Sequence, residues 1–156
     1  MATIYLSIGS NYQREKNIIA ALHLLQKQFG TLTVSPIYRS TAIENNGDDY
    51  FNLVVSLQSE DDVETLRRHL RRVEATLERN RDEPQRVSID IDLLLYDNFV
   101  GTAAGYELPH PDIARYRHVS QPLADLAPDS LHPTLLKTYQ AISDEVVGEL
   151  QRVTIS

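Results

Sequence analysis

The chain contains no cysteine, so disulfide bonds and thiolate metal sites are excluded, and a bound metal ion would need oxygen or imidazole ligands. No apolar run approaches the roughly 20 residues that a membrane-spanning helix requires. The N-terminal segment also has no basic flank ahead of its apolar stretch. We therefore expect a cytoplasmic protein with no membrane partner.

Positive charge is scarce overall. Fifteen Lys and Arg stand against 22 Asp and Glu, for a net charge of −7, which argues against a general nucleic-acid binder. The 156 residues fit one domain over 1–156, with 42% hydrophobic residues to fill its core. The basic residues are nevertheless uneven, and seven arginines share one short window: Arg67, Arg68, Arg71, Arg72, Arg79, Arg81 and Arg86. Such a cluster of arginines in an acidic protein indicates a binding site for a small anion.

The segment Val87–Asp97, VSIDIDLLLYD, follows this window directly. In an extended strand, alternate side chains share a face, so Asp90 and Asp92 point the same way. Two unpaired carboxylates repel each other and resist burial, and a divalent cation such as Mg²⁺ is the simplest partner for them. An edge strand whose acids face water is the common alternative for an isolated Asp-x-Asp pair. The apolar run Leu93–Leu95 instead predicts a central strand buried on both faces, which favours a metal and nucleotide-phosphate site.

The order of elements up to Asp97 predicts the fold. Strands are indicated over Thr3–Ile8, Leu32–Arg39 and Phe51–Leu57, and helical spacing of apolar residues is found in Arg14–Phe29 and from Val63 to Leu77. With the Val87–Asp97 strand, this gives strand-helix-strand-strand-helix-strand. The pattern predicts an α+β, ferredoxin-like βαββαβ antiparallel sheet with helices on one face. Short helices are expected in a C-terminal extension.

The arginines of the predicted second helix and those of the loop after it are interpreted differently. Arg67, Arg68, Arg71 and Arg72 lie on the predicted second helix and indicate a solvated face. Arg79 and Arg81 come after its last apolar position and enter a polar loop that leads into the acidic strand. A helix, a mobile basic loop and an acidic strand suit phosphoryl chemistry, in which arginines close over metal-bound phosphates.

Four motifs occur in the order and near the spacing of one known family. They are IGSN at Ile8–Asn11, DYFN at Asp49–Asn52, SIDIDLLLYD at Ser88–Asp97, and LPHPDI followed by PLADLAPD within Leu108–Asp129. The chain resembles the 6-hydroxymethyl-7,8-dihydropterin pyrophosphokinases over residues 2–130. The resemblance implies transfer of diphosphate from ATP to a pterin hydroxymethyl group, with these small molecules as substrates. We also expect a monomer.

The resemblance also implies roles for individual positions. Asp90 and Asp92 match acids that bind two Mg²⁺ ions bridging the ATP phosphates. Arg79 and Arg81 match residues of the family's catalytic loop. Arg86 stands one position before the family's arginine ahead of the strand and is expected to be a third catalytic residue. The positions on the ATP side are Glu74, His110, Arg115 and Arg117. The positions on the acceptor side are Ser40, Tyr50, Asn52 and His118.

The chain departs from the family pattern around the acceptor. It has no tryptophan and a shorter loop, Asp82–Arg86, where the family has a Trp-Gly-Pro-Arg segment. Tyr116 stands where an arginine is usual, and His118 where an aromatic ring stacks on the pterin. Two rival hypotheses therefore stay open: a paralogue with a different pterin-like acceptor, and a non-catalytic module that binds a nucleotide or pterin. A nucleotidyltransferase is disfavoured because Gly9-Ser10 lies far from Asp90 in the chain.

Overall fold

The computed structural model describes residues 1–42 and 47–155. In chain order, the elements within these residues are β1 Ala2–Ser10, α1 Arg14–Phe29, β2 Thr33–Val34, β3 Ile37–Ser40, β4 Tyr50–Ser59, α2 Val63–Thr76, β5 Asp90–Tyr96, β6 Gly101–Ala103, β7 Tyr106–Leu108, a 3-10 helix Pro111–Ala114, α3 Arg117–Leu126, α4 Tyr139–Glu145 and β8 Gln151–Val153.

The main sheet has the strand order β5-β1-β4-β3-β8, with β2 pairing with β4 beyond the start of β3. All of its pairings are antiparallel. The predicted strand over Leu32–Arg39 is divided into β2 and β3 at Pro36, which has no N–H to donate. Ser35 bridges the break, because its Oγ accepts the N–H of Val54 at 2.9 Å. The order and directions of the strands confirm the ferredoxin-like α+β fold.

One face of the sheet packs against α1 and α2. Alternation in β1 turns Ile4, Leu6 and Ile8 to this face, where each is fully buried. The helices contribute Ile18 and Leu25 from α1, and Leu66 and Leu70 from α2, at helical spacing. Full burial of each such side chain contributes about 1.5–3 kcal/mol, so this core is the main source of the fold's stability.

The C-terminal segment covers part of the opposite face. A second apolar cluster joins Val54 of β4 and Leu94 of β5 to residues of the 3-10 helix, α3 and α4. The predicted extension of short helices is therefore present. Its last strand, β8, pairs with β3 through Tyr38 and Arg152, which places the C-terminal segment at the far edge of the sheet.

The position of β5 corrects one prediction. Its acids do share a face, but β5 forms an edge of the sheet and is not central. Leu93–Leu95 are buried nevertheless, because a bulge opposite Tyr5 and Leu6 turns Leu94 and Leu95 to the second cluster while Leu93 stays in the first. The N–H of His110 also donates to the Leu94 carbonyl at 2.9 Å, so a neighbouring segment covers this edge.

None of the helices in residues 1–42 and 47–155 combines the length and the apolar character needed to cross a membrane.

A candidate active site at the end of the sheet

A cavity opens on the second face of the sheet, next to the first residues of α3. Its volume is about 170 Å³. The alternation that sends Ile8 and Ile91 into the core sends their strand neighbours to this cavity. The residues that line it are Ser7, Gly9, Ser40, Thr41, Tyr50, Asn52, Asp90, Asp92, Asp112, Tyr116, His118 and Val119.

Asp90 and Asp92 lie side by side on one wall of this cavity, where β5 pairs with β1 at Gly9 and Ser7. The structure therefore brings the two predicted acids together on one face, next to open space. Burial, followed by the nearby charges of Asp90, Glu74 and Asp112, raises the pKa of Asp92 to about 8. A carboxylate pair in this environment is stabilised by a cation.

The donor set fits Mg²⁺, which prefers oxygen ligands and commonly combines one or two carboxylates with substrate phosphates and water. Within the described part of the chain, no group of three or more His, Cys, Asp or Glu side chains could hold a metal ion. Asp90 and Asp92 would supply the protein ligands, and substrate phosphates and water would supply the others.

Arg79 and Arg81 are anchored beside the acids by Glu74. Arg79 Nη1 donates to the Ile89 carbonyl at 2.9 Å and to Asp90 Oδ1 at 3.2 Å. Glu74 is 4% exposed, and its two oxygens accept from Arg81 at 2.9 Å and from the Ile91 N–H at 3.0 Å. Burial raises the pKa of Glu74, and the nearby Asp90 raises it further, whereas the Ile91 N–H and the two arginines oppose that shift. Glu74 thus ties the arginine loop to the start of β5 without lining the cavity.

The floor of the cavity is polar and well ordered by hydrogen bonds. Asn52 is 5% exposed, and its Nδ2 donates to Ser40 Oγ at 2.7 Å and to the Tyr38 carbonyl at 3.2 Å. A Cβ at Gly9 would lie 3.5 Å from both Asn52 Oδ1 and the Tyr50 ring, an ordinary van der Waals distance, so this end of β1 lies next to both side chains. The predicted acceptor-side residues Ser40, Tyr50 and Asn52 are therefore brought together.

The opposite wall is aromatic. Tyr116 and His118 stack with ring centroids 5.3 Å apart and an angle of 17° between their planes. Burial lowers the pKa of His118, so its imidazole is neutral at pH 7. This wall offers a flat, largely apolar surface for a planar heterocycle.

Arg86, which was predicted to be catalytic, and the other predicted ATP-side residues lie outside the cavity lining in the described structure. Arg86 stacks on Tyr12, with its Cζ 3.8 Å from the ring centroid. Arg117 donates to the Gly148 carbonyl at 3.2 Å, and Arg115 pairs with Asp112 at 3.6 Å. His110 caps the 3-10 helix: its Nδ1 accepts the Asp112 N–H at 3.1 Å, and burial lowers its pKa.

The sequence did not assign Ser7, Gly9, Thr41, Asp112, Tyr116 or Val119 to the cavity as site residues. Period-2 alternation in β1 places Ser7 and Gly9 on one face, but only the pairing of β1 with β5 places that face beside the acids. Asp112 adds a third carboxylate whose charge raises the pKa of Asp92. Its position depends on how the segment after β7 folds back over β5, which no local pattern predicts.

The fold and the cavity together define a class. A ferredoxin-like sheet carries paired carboxylates beside an arginine loop at one end of a cavity that also has an aromatic wall and an amide floor. This arrangement is typical of an enzyme that transfers phosphoryl groups to a planar acceptor.

Comparison with known proteins identifies the family. Residues 5–128 match the family described as 7,8-dihydro-6-hydroxymethylpterin-pyrophosphokinase, HPPK. The chain belongs to this family, whose members transfer diphosphate from ATP to hydroxymethyldihydropterin in folate synthesis, and it is accordingly an enzyme of the pyrophosphokinase class.

The relatives include whole proteins and longer ones. The chain is 35% identical over 141 residues to 2-amino-4-hydroxy-6-hydroxymethyldihydropteridine pyrophosphokinase of Porphyromonas gingivalis, a match that covers 85% of this chain and 95% of the relative. It is 30% identical over 151 residues to the Aquifex aeolicus protein of the same name, covering 93% and 92%. It spans only 20% of the folic acid synthesis protein FOL1 of Dictyostelium discoideum, at 28% identity over 85% of this chain.

The solved structures agree on the fold. Plasmodium falciparum HPPK-DHPS with pteroate superposes with a TM-score of 0.74 at 14% identity, covering 92% of this chain and 44% of that chain. An HPPK-DHPS in complex with substrates also gives 0.74, at 13% identity, covering 92% and 45%. The chain thus spans less than half of each of these longer polypeptides.

Proposed function

We propose that this chain transfers the β,γ-diphosphate of ATP to the hydroxymethyl group of 6-hydroxymethyl-7,8-dihydropterin, giving AMP and the pterin diphosphate. The acceptor oxygen forms a bond to the β-phosphorus, the bond to the α,β-bridging oxygen breaks, and the hydroxyl proton is released. One observation carries this proposal: Asp90 and Asp92 line the same cavity as the amide floor and the aromatic wall. The diphosphate donor and the planar acceptor can therefore bind next to each other in this cavity.

Asp90 and Asp92 would hold two Mg²⁺ ions against the ATP phosphates. When bound, Mg²⁺ neutralises phosphate charge and orients the triphosphate. The raised pKa of Asp92 and its place beside Asp90 support this assignment, because each feature indicates a carboxylate pair that needs a cation.

Arg79 and Arg81 would supply the remaining positive charge. Both side chains are close to β5 through Glu74, and Arg81 is 52% exposed, so it can leave this ion pair for a phosphate oxygen. Exchanging a carboxylate for a phosphate conserves the charge-assisted contact. Arg86, Arg115, Arg117 and His110 would reach ATP only after their present contacts to the protein are exchanged.

Asn52, with Ser40 beside it, would bind the edge of the pterin, while Tyr50 and the Tyr116–His118 stack would hold its faces. Asn52 Nδ2 already donates to Ser40 Oγ and to the Tyr38 carbonyl, so its Oδ1 is the atom that would accept an N–H of the pterin edge. The hydroxymethyl group would then point towards the acids of β5.

The direct test is AMP formation from ATP, followed by chromatography, with 6-hydroxymethyl-7,8-dihydropterin as acceptor and Mg²⁺ present. AMP should form only when acceptor and metal are both present, and Asp90→Asn should abolish it. Ligand binding without turnover would instead support the non-catalytic module, and absence of AMP with every reduced pterin would exclude the kinase.

His118 favours a second candidate within the same chemistry, a kinase of a different pterin-like alcohol. The imidazole contributes less stacking area than a benzene ring and adds two polar edge atoms to the acceptor wall. Competition between hydroxymethyl-dihydropterin and other hydroxymethyl heterocycles for the same cavity separates the two acceptors.

We further propose that residues 1–156 form a single domain that works as a cytoplasmic monomer, with no nucleic-acid or membrane partner. The net charge of −7 and the two apolar clusters on opposite faces of one sheet support this assignment. Sedimentation at micromolar concentration tests the monomer.

A further inference from the structure

The Gly-Ser-Asn turn at the end of β1 is bonded to the segment that enters β5. The side chain of Asn11 donates from Nδ2 to the Gln85 carbonyl at 2.8 Å and accepts the Val87 N–H at Oδ1 at 2.6 Å. Its main-chain N–H donates to the Val87 carbonyl at 3.0 Å. These three bonds join Asn11 to residues 74 and 76 positions further along the chain.

Asparagine suits this place because it needs one donor and one acceptor on the same short side chain. Asn11 is 5% exposed and Val87 is 4% exposed, so the bond between them has little access to water, whereas Gln85 is an exposed residue. Buried polar groups that lose a partner are costly. Aspartate has the same shape but no N–H, and serine is too short to span the two main-chain groups.

The Asn11 contact divides the loop between α2 and β5 into two parts. The first part begins at Glu78, whose φ is 61°, and contains Arg79 and Arg81. Arg79 forms an ion pair with Asp90, and Arg81 forms one with Glu74. The second part begins at the bonded residues Gln85 and Val87, and continues through two buried residues to Asp90.

We propose that Asn11 is a positioning residue that holds residues 85–87 in place while the arginine-bearing part of the loop moves onto ATP. Asn11 does not line the cavity and acts through Val87, three residues before Asp90, the first of the proposed metal-binding acids. Its effect is to keep Asp90 and Asp92 in register as the arginines move. The inference rests on the proposed function for its catalytic consequence, but the structural part can be tested alone.

The test compares Asn11→Asp with Asn17→Asp. Asn17 is a matched control: it is 7% exposed, and its Nδ2 also donates to a main-chain carbonyl, that of Tyr12, at 2.7 Å. Because Tyr12 stacks on Arg86, this control also shows whether loosening that contact is sufficient. Asn11→Ser is the second variant should the aspartate not fold.

The first readout is limited trypsin digestion of folded protein, because the Arg86–Val87 bond lies inside the Asn11 contact. Cleavage after Arg86, identified by mass spectrometry, should be about tenfold faster in Asn11→Asp than in the unmodified chain or in Asn17→Asp. The second readout is kinetics: kcat should fall about tenfold, while the KM for ATP changes less than about twofold.

Equal cleavage after Arg86 in the folded Asn11 variant and the unmodified chain would overturn the proposal, as would equal acceleration in Asn17→Asp. If the unmodified chain makes no AMP, the proposed function fails while the digestion result still tests the role of Asn11 in holding the loop.

Discussion

At the scale of single residues, Asp92 shows why the site lowers the stability of the fold when no metal is bound. Its carboxylate lies beside Asp90, with Glu74 and Asp112 also near. Its burial, and then these charges, raise its pKa and so disfavour the ionised form. A structural strand has no need of such a residue. The cost is understandable where binding a cation offsets it.

Removing this charge should therefore separate stability from function. In metal-free buffer, Asp92→Asn should raise the free energy of unfolding by about 1 kcal/mol, because folding no longer has to bury a carboxylate or to protonate it. The Mg²⁺-dependent affinity for a non-hydrolysable ATP analogue, measured by calorimetry, should fall at least tenfold because a metal ligand is lost. The exposed Asp129→Asn serves as the control, and an undiminished magnesium dependence in Asp92→Asn would contradict the metal assignment.

Arg81 should act late in the reaction, because its side chain is now paired with Glu74 and is half exposed. Arg81→Gln should lower kcat about a hundredfold, the loss typical of one transition-state charge contact, with the ATP KM nearly unchanged. Arg68→Gln on the exposed side of α2 should leave both constants as they are. Steady-state kinetics decides, and an unchanged kcat in Arg81→Gln would remove that residue from the mechanism.

At the scale of elements, the turn before α4 depends on one neutral imidazole. His132 Nδ1 accepts the N–H groups of Thr134 and Leu135 at 3.2 and 3.1 Å, and burial lowers its pKa. The unfolded chain consequently takes up the proton first as pH falls. The stability that neutral His132 contributes is present above its ordinary pKa of about 6.5 and is lost as pH falls through the folded-state value.

The thermal midpoint should accordingly fall less between pH 7 and pH 5 in His132→Asn than in the unmodified chain. The asparagine Oδ1 keeps an acceptor near the position of Nδ1 and does not titrate in this range. Scanning calorimetry at the two pH values gives the comparison. His23→Asn, on the exposed face of α1, should retain the original pH dependence, and identical slopes for all three proteins would refute the role of His132.

At the scale of the whole molecule, the sheet is the shared layer between two apolar clusters, and the second depends on Tyr139 of α4. Burial, followed by the nearby Tyr5, raises the pKa of Tyr139 to about 12. The unfolded chain deprotonates near the ordinary value of about 10, so stability present below pH 10 is lost as pH rises towards 12.

Tyr139→Phe should weaken that alkaline loss. The urea midpoint of the unmodified chain should decrease from pH 9 to pH 11, and the decrease should be smaller in the Phe variant, whereas Tyr12→Phe should behave as the unmodified chain does. A single transition for fluorescence and circular dichroism at pH 9 would also support the one-domain assignment. An equal decrease in Tyr139→Phe would show that this hydroxyl does not govern the alkaline limit.

The local elements could be predicted because their signals are short-range. Helix α1 matches the predicted Arg14–Phe29, and the acids of β5 face one way as alternation requires. The prediction that β5 is a central strand was wrong. At the edge of the sheet, a bulge and the covering segments bury Leu94 and Leu95 as fully as neighbouring strands would bury them in a central strand. A run of hydrophobic residues indicates that a segment is buried, but it does not indicate which part of the protein covers that segment.

The amino-acid sequence by itself determined the ferredoxin-like order of elements, the shared face of Asp90 and Asp92, and the motifs that identify the family. Side-chain periodicity and turn-forming residues depend on a few neighbouring positions, so they can be recognised in the amino-acid sequence alone. Only the tertiary structure decided that Ser7, Gly9 and Asp112 join those acids at one cavity, and that Asn11 holds the segment before them. These contacts join residues far apart in the chain, and they depend on strand register and on how the C-terminal segment packs.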